Sequence, residues 1–169
     1  MKSSDRRPAM RYRYLRTVPA FLLFMLTLLP VMAAEAVEGV AKTSGQTVYV
    51  PAYSHIYHGN KNAELLLSVT LSLRNTDPDH PITITAVDYY DTRGHMVKQF
   101  ITAPLRLGPY GSDRFIIPQD DKSGGSGANF IVKWKAAAPA NPPIFETVMI
   151  GTQSQLGISF TSRGQALQN

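Results

Sequence analysis

The sequence predicts an all-β protein, an antiparallel immunoglobulin-like β-sandwich of about seven to nine strands. Three observations favour this fold. Leucine and valine at positions 65, 67, 69, 71 and 73 alternate with mostly polar residues, which is the period of a half-buried strand. Further apolar segments follow at regular spacing, separated by residues rich in Gly, Pro, Asn and Asp. No stretch of about ten residues shows a convincing helical period.

Residues 1–36 have the pattern of an export signal. A basic stretch, MKSSDRRPAMRYRYLR, precedes the apolar TVPAFLLFMLTLLPVMAAEA. The uncharged run at 18–32 contains two prolines and is shorter than the roughly 20 residues that cross a bilayer. We therefore expect a signal peptide over 1–36, cleaved between 33 and 37, and a periplasmic or extracellular protein. The alternative is an uncleaved leader, which would then be the chain's only attachment to the membrane.

Charge and cysteine content limit the possible partners. The formal net charge is +5, but residues 1–36 hold 6 of the 17 basic and 2 of the 12 acidic residues. The remainder keeps eleven basic and ten acidic residues, a net charge of +1. Without a clustered basic face, no nucleic-acid partner is expected. Because the sequence has no cysteine, neither a disulfide nor a lipoprotein anchor can form.

The rest of the chain has the length of one domain. We expect a flexible N-terminal segment at 37–46, a single β-sandwich domain at 47–164 and a C-terminal tail at 165–169. After the strand at 65–74, the turn NTDPDHP leads into the strand ITITAVDYY, whose apolar parity changes near Ala86 and predicts a β-bulge. DTRG then predicts a hairpin turn, with Gly94 at positive φ.

The second half of the domain continues the pattern. A short strand at 113–117 precedes the polar loop QDDKSGGSGAN, and Phe130, Val132 and Trp134 then alternate with polar or exposed positions. Residues 136–143 are rich in Pro and Ala and are expected to form a loop. The strands IFETVMI and GISFTS complete the domain.

The densest group of chemically active side chains is YVPAYSHIYHG at 49–59. A metal site would need His55 and His58 together with further ligands such as His80. His80 lies in the NTDPDHP turn, so this turn would have to fold beside the segment 49–59. Tyrosines at 49, 53 and 57 repeat every four residues, so a helical turn would place them on one side. The alternative is a structural aromatic cluster with surface histidines.

Two further residues are candidates for ligand contact. Ser126 lies in the Gly- and Ser-rich loop, which lacks the Lys of a phosphate-binding loop but could form a contact surface. Arg163 could bind an anion through its guanidinium. The sequence predicts no catalytic residue and no cofactor. The candidate contact residues are Tyr53, His55, Tyr57, His58, Ser126 and Arg163.

Five segments together resemble a known family. VYVPAYSHIYHG, LSVTLSLRNTD, ITAVDYYDTRG, SGGSGANFIVKW and GISFTSRG are similar to the bacterial envelope family catalogued as domain of unknown function 3124. The resemblance covers about residues 47–164. It implies an exported single-domain protein and brings no catalytic residues. Members of such families are often lipoproteins, and this chain departs from that pattern because it has no cysteine.

These observations favour a binding or accessory module of the bacterial cell envelope that uses loops at one end of the sandwich. Its partner would be an envelope protein or a glycan. The alternative is a small metal-dependent or hydrolytic enzyme centred on His55 and His58. The two differ in a simple spatial requirement, since an enzyme of this kind would gather its histidines and carboxylates in one cleft.

Overall fold

The computed structural model describes residues 41–60, 62–152 and 157–168, and within them it contains β-strands and no helix. The all-β prediction is confirmed. The strands are β1 (Thr43–Pro51), β2 (His55–His58), β3 (Ala63–Leu66), β4 (Ser68–Arg74), β5 (Ile82–Tyr90), β6 (Met96–Gln99), β7 (Leu105–Leu107), β8 (Ser112–Ile117), β9 (Asn129–Ala140), β10 (Ile144–Gly151), β11 (Ile158–Arg163) and β12 (Gln165–Ala166).

Twelve strands in the described residues exceed the seven to nine that the sequence predicts. Strands β2, β3, β7 and β12 are only two to four residues long, so they are too short to show an alternation of their own. The segment expected to be one strand from Leu65 is divided between β3 and β4. The division falls at Leu67, whose amide donates to the carbonyl of Ser54 at 2.9 Å, because the chain pairs with β2 up to Leu66 and with β10 from Ser68.

The strands form two larger antiparallel sheets and one hairpin. Sheet 1 has the order β12-β1-β9-β5-β6, with β7 also paired to β5, and sheet 2 has the order β11-β10-β4-β8. Strands β2 and β3 pair only with each other among the described residues. The register of β5 on β9 shifts between Ile84 and Ala86, which confirms the predicted bulge. Gly94 has φ +81°, as expected for the β5–β6 turn.

Both sheets contribute to one hydrophobic core. Leu67, Val69, Leu71 and Leu73 are fully buried, as their alternation predicts. Full burial of each such side chain contributes about 1.5–3 kcal/mol. The core is completed by side chains from both sheets and their loops: Val48, Val50, Ala52, Ile82, Ile84, Val87, Tyr89, Leu107, Ile117, Ala128, Phe130, Val132, Trp134, Ala140, Phe145 and Met149.

The prediction of a loop over residues 136–143 is wrong for residues 136–140. Strand β9 continues to Ala140, and Thr43 in β1 pairs with that residue. Beyond Lys135, β9 pairs with β1 alone, because the β5 pairing ends at Thr83 and Lys135. A proline is tolerated where a strand has a free edge, which explains how Pro139 fits within β9. Gln165 and Ala166, from the expected tail, pair with β1 as β12.

The loops gather at two ends of the strands. The hairpin end holds β2, β3 and the loop 118–128, beside the start of β4. The Asp77 end holds the loops 75–81, 108–111 and 141–143, beyond the end of β4. Within the described residues no helix has the length and apolar character that a membrane span requires.

Candidate functional site

The β2–β3 hairpin presents the candidate side chains of the first end. Its four register pairs run from His55 with Leu66 to His58 with Ala63. Gly59 and Asn62 adopt left-handed φ values of 66° and 51°, which reverse the chain. Glycine and asparagine are the residues that tolerate this conformation best, so the sequence GNKN suits the turn.

His55 lies at the base of this hairpin and is nearly buried, with 10% of its side chain exposed. Its Nε2 atom lies 3.2 Å from the hydroxyl oxygen of Tyr57 and 3.8 Å from Oε1 of Glu64. The His55 and Tyr57 rings meet edge to face, with their centroids 5.2 Å apart. The Nδ1 atom of His55 is buried without a hydrogen-bond partner in the described part of the chain. His55 therefore positions Tyr57, a residue that is 54% exposed.

Two contacts hold the hairpin against the loop 118–128. The ammonium of Lys122 donates to Oε2 of Glu64 at 3.3 Å, so Glu64 faces both His55 and a lysine. The side-chain amide of Gln119 donates to the carbonyl of Leu66 at 3.3 Å. The hairpin end therefore combines an exposed aromatic ring with groups of both charge signs.

The glycine-rich part of that loop is tightly folded. The carbonyl of Gly124 accepts the amide of Thr92 at 2.9 Å and its hydroxyl at 3.0 Å. The amide of Ser54 donates to the carbonyl of Gly125 at 3.0 Å. Ser126 lies within this turn and is half-buried, on the same end as Tyr57.

The remaining contact candidates are placed differently. Tyr53 is half-buried and packs edge to face on Phe160, with centroids 5.9 Å apart, so it stabilises the domain. His58 is exposed and, three residues from His55 in a strand, points to the opposite face of the hairpin. The helical turn that would gather the tyrosines is absent, since β1 and β2 occupy described residues 43–51 and 55–58.

Arg163 lies away from the hairpin end, on sheet 2. Its register partner in β10 is Glu146, yet Oε1 of Glu146 lies 3.8 Å from Nε of Arg74 instead. Arg163 is exposed and does not share a surface with Tyr57.

The structure does not gather the three histidines of the metal hypothesis. His55 precedes β4 and His80 follows it, and the seven residues of β4 separate them by about 20 Å. Nδ1 of His80 lies 3.0 Å from Oδ1 of Asp77. Among the residues that the structure describes, no group of three or more histidines and carboxylates could hold a metal ion.

The second end is organised by Asp77, whose side chain is fully buried. Its Oδ2 accepts the amide of Asn141 at 2.8 Å, and its Oδ1 accepts the amides of Asp79 and His80 at 2.9 and 2.8 Å. These N–H donors, with that of Asn141 first, hold the pKa of Asp77 far below its ordinary value. The carboxylate is thus a structural centre that joins two loops.

Asn75 joins the third loop to this centre. Its Nδ2 donates to the carbonyls of His80 and Gly108, at 2.8 and 2.9 Å. The amide of Tyr110 donates to the carbonyl of Asp77 at 3.3 Å. Tyr110 itself is 71% exposed. Sequence reasoning missed this residue, and its position between two glycines in GPYG was the available signal.

Comparisons with known proteins identify a family and no activity. A family model described as "Protein of unknown function (DUF3124)" matches residues 45–167. A search of curated proteins finds no match. One solved structure, that of Thermotoga maritima 1070, is similar, with 11% identity and a TM-score of 0.42, over 73% of this chain and 95% of that one.

Proposed function

The chain belongs to the DUF3124 family of proteins of unknown function, and we propose that it is an exported, immunoglobulin-like β-sandwich that binds a protein of the bacterial envelope through its hairpin end. The observation that carries this function is the fixed, exposed Tyr57 ring beside the Glu64–Lys122 ion pair. The immunoglobulin-like assignment is supported by two antiparallel sheets that share one core. Export is supported by the signal-like pattern of residues 1–36.

The composition of the hairpin end favours a protein partner. Tyrosine supplies a large contact area at a small cost in conformational entropy, and its edge-to-face packing on His55 reduces that cost further. Glu64 and Lys122 present both charge signs within 3.3 Å of each other, so a partner with charges in complementary positions is favoured over one without them. Such a requirement gives specificity rather than general adhesion.

Site-specific photo-crosslinking in the living envelope tests this function. A photoreactive phenylalanine analogue at position 57 is expected to yield one discrete adduct with an envelope protein. The matched control places the same analogue at Met96, which is similarly exposed at 59% but lies on β6 in sheet 1. Glu64→Lys should abolish the adduct by reversing one charge of the pair. An adduct that is equal at positions 57 and 96, or that is absent, contradicts the proposal, as does binding of a glycan alone by Tyr57.

Export is tested separately on the purified protein. N-terminal sequencing of material from the periplasmic or extracellular fraction should give a first residue between 34 and 37. Recovery of the intact leader from the membrane fraction would support the anchored alternative, and recovery of the protein from the cytoplasm would contradict export.

A further inference from the structure

Tyr110 occupies a backbone conformation that tyrosine rarely adopts. Its φ is +54°, in the left-handed region, where the Cβ atom crowds the following carbonyl. For a bulky residue this is a genuine outlier and costs stability. Because 71% of the residue is exposed, the ring recovers little of that cost by packing. A glycine at this position would avoid the strain.

The loop around Tyr110 is held in place from several sides. The amide of Asn75 donates to the carbonyl of Gly111 at 2.9 Å, and the amide of Gly111 donates to the carbonyl of Gly108 at 2.9 Å. Asn75 also binds the carbonyl of Gly108 through its side chain. The backbone that carries the strained tyrosine is therefore already fixed before a ligand binds.

Two polar residues, His80 and Asp79, belong to the loop that the Asn75 side chain ties to this support. The side-chain amide of Asn75 donates to the carbonyls of both His80 and Gly108. The imidazole of His80 is 39% exposed, and its Nδ1 atom lies within hydrogen-bond distance of Asp77. The neighbouring Asp79 is exposed. The other large exposed apolar side chains in the described residues lie on other parts of the fold: Tyr57, Met96, Val97, Ile116, Ile150, Ile158 and Leu167. Tyr110 is therefore an isolated aromatic ring on a loop that is bonded, through Asn75 and the carbonyl of Asp77, to the loop that contains Asp79 and His80.

This arrangement fits a sugar better than a protein. Tyr57 packs on the His55 ring beside the Glu64–Lys122 ion pair, whereas Tyr110 contacts no other aromatic ring within the described residues, so its ring is left without a packing partner there. A pyranose ring carries weakly positive axial C–H groups on its face and hydroxyls around its rim. The C–H groups suit the negative face of an aromatic ring, and the hydroxyls suit a carboxylate and an imidazole.

We propose that the Asp77 end is a glycan-binding surface, on which the Tyr110 ring stacks against a pyranose and Asp79 and His80 bind its hydroxyls. This site lies at the opposite end of β4 from Tyr57, and it does not depend on the protein-binding function proposed for the hairpin end. Equatorial linkages leave the C–H faces of consecutive sugars accessible, so β-1,4-linked chains are the class expected to bind.

The site is tested by titrating the mature protein with two β-1,4-linked tetramers, one of N-acetylglucosamine and one of glucose. Binding is detected by NMR through the ring resonances of the tyrosines. At least one tetramer should shift the Tyr110 signals. Tyr110→Phe should retain binding, because stacking needs no hydroxyl, and Tyr110→Gly should weaken it about tenfold or more. The same Tyr110→Gly variant should raise Tm by about 2 °C as strain is released, which shows that lost binding is not lost folding.

Tyr57→Ala is the matched control, since Tyr57 is also a surface tyrosine but lies at the hairpin end. It should leave glycan affinity unchanged. The proposal is overturned if neither tetramer binds at millimolar concentration, if Tyr110→Gly binds as well as the wild type, or if Tyr57→Ala abolishes the binding. Photo-crosslinking at position 110 that captures a protein, in the absence of any glycan response, overturns it as well.

Discussion

The backbone amide of Asn141 donates a 2.8 Å hydrogen bond to Oδ2 of Asp77, a residue 64 positions earlier in the chain. The other oxygen of the same carboxylate accepts the amides of Asp79 and His80. One buried side chain therefore fixes the loops 75–81 and 141–143 relative to each other. Since Tyr110 donates to the backbone of Asp77, the same residue also fixes the exposed tyrosine.

Asp77→Asn should be strongly destabilising, because an amide NH₂ group would replace one acceptor oxygen and leave a buried N–H unpaired. We expect Tm to fall by roughly 10 °C in thermal unfolding followed by circular dichroism. Asp79→Asn is the matched control, since Asp79 is exposed two residues away and should change Tm by no more than about 1 °C. Equal Tm changes in the two variants would contradict the structural role of Asp77.

Stability should decrease in acid. N–H donors lower the pKa values of Asp77 and Asp91 below the ordinary 3.8, with the amide of Asn141 the largest cause for Asp77 and that of His95 for Asp91. The folded state therefore binds fewer protons than the unfolded state. The resulting stabilisation is complete above the unfolded pKa of about 3.9 and is lost as the pH falls towards the folded values.

Urea unfolding at pH 7, 4 and 2 measures this loss. The midpoint of the wild type should fall mainly between pH 4 and 2. Asp91→Asn should show a smaller fall over that interval, because one of the two depressed carboxyls has been removed. A midpoint that stays constant or rises in acid would show that these carboxylates are not stabilised by folding.

Stability should also decrease in strong alkali, through Tyr89. Burial raises the pKa of this hydroxyl above 10.0, although the hydrogen bond with Ser54, at 2.9 Å, opposes the shift. The folded state thus retains the proton when the unfolded state has lost it. The stabilisation is present below the unfolded pKa of about 10 and is lost as the pH rises through the folded value.

Tyr89→Phe removes this titration together with the Ser54 hydrogen bond. The variant should be less stable than the wild type at pH 8 by about 1 kcal/mol, since the Ser54 hydroxyl loses a buried partner. Its further loss between pH 9 and 11 should be smaller than that of the wild type. Parallel alkaline unfolding curves for the two proteins would exclude Tyr89 as the group responsible.

The alternation of single strands was sufficient to predict much of the core. Leu67, Val69, Leu71 and Leu73 repeat with period two, and the parity change near Ala86 marks a real bulge. The extension of β9 past Lys135 could not be predicted in the same way, because proline and alanine carry no strand signal. That extension depends on pairing with β1, whose residues are about 90 positions away in sequence.

The same limit applies to the candidate sites: contacts between residues close in sequence could be predicted, and contacts between distant residues could not. Tyr57 and His55 were found because they lie in one short aromatic segment, and the structure places them in contact. The glutamate and lysine beside them, Glu64 and Lys122, are 58 residues apart, so only the folded chain brings them together. Tyr110 was missed because distant residues hold its loop: its amide donates to the carbonyl of Asp77, and Asn75 binds Gly108 and Gly111.

Gly124 tests how closely the glycine-rich loop packs on the core. A Cβ atom at this position would overlap the hydroxyl of Tyr89 and lie 2.7 Å from the Cβ of Ala128. Tyr89 is fully buried and cannot move aside without displacing the core. Gly124→Ala should therefore cost about 2 kcal/mol of unfolding free energy in urea.

Gly108→Ala is the matched control for this substitution, since an added Cβ there meets no atom within 4 Å. It should change the unfolding free energy by no more than about 0.5 kcal/mol. Because the overlap involves the Tyr89 hydroxyl, combining Gly124→Ala with Tyr89→Phe should cost less than the sum of the two single changes. Strict additivity would place the strain of Gly124→Ala in the contacts that remain when the hydroxyl is removed, which are those with the Cζ atom of Tyr89, at 2.6 Å, and with the Cβ of Ala128.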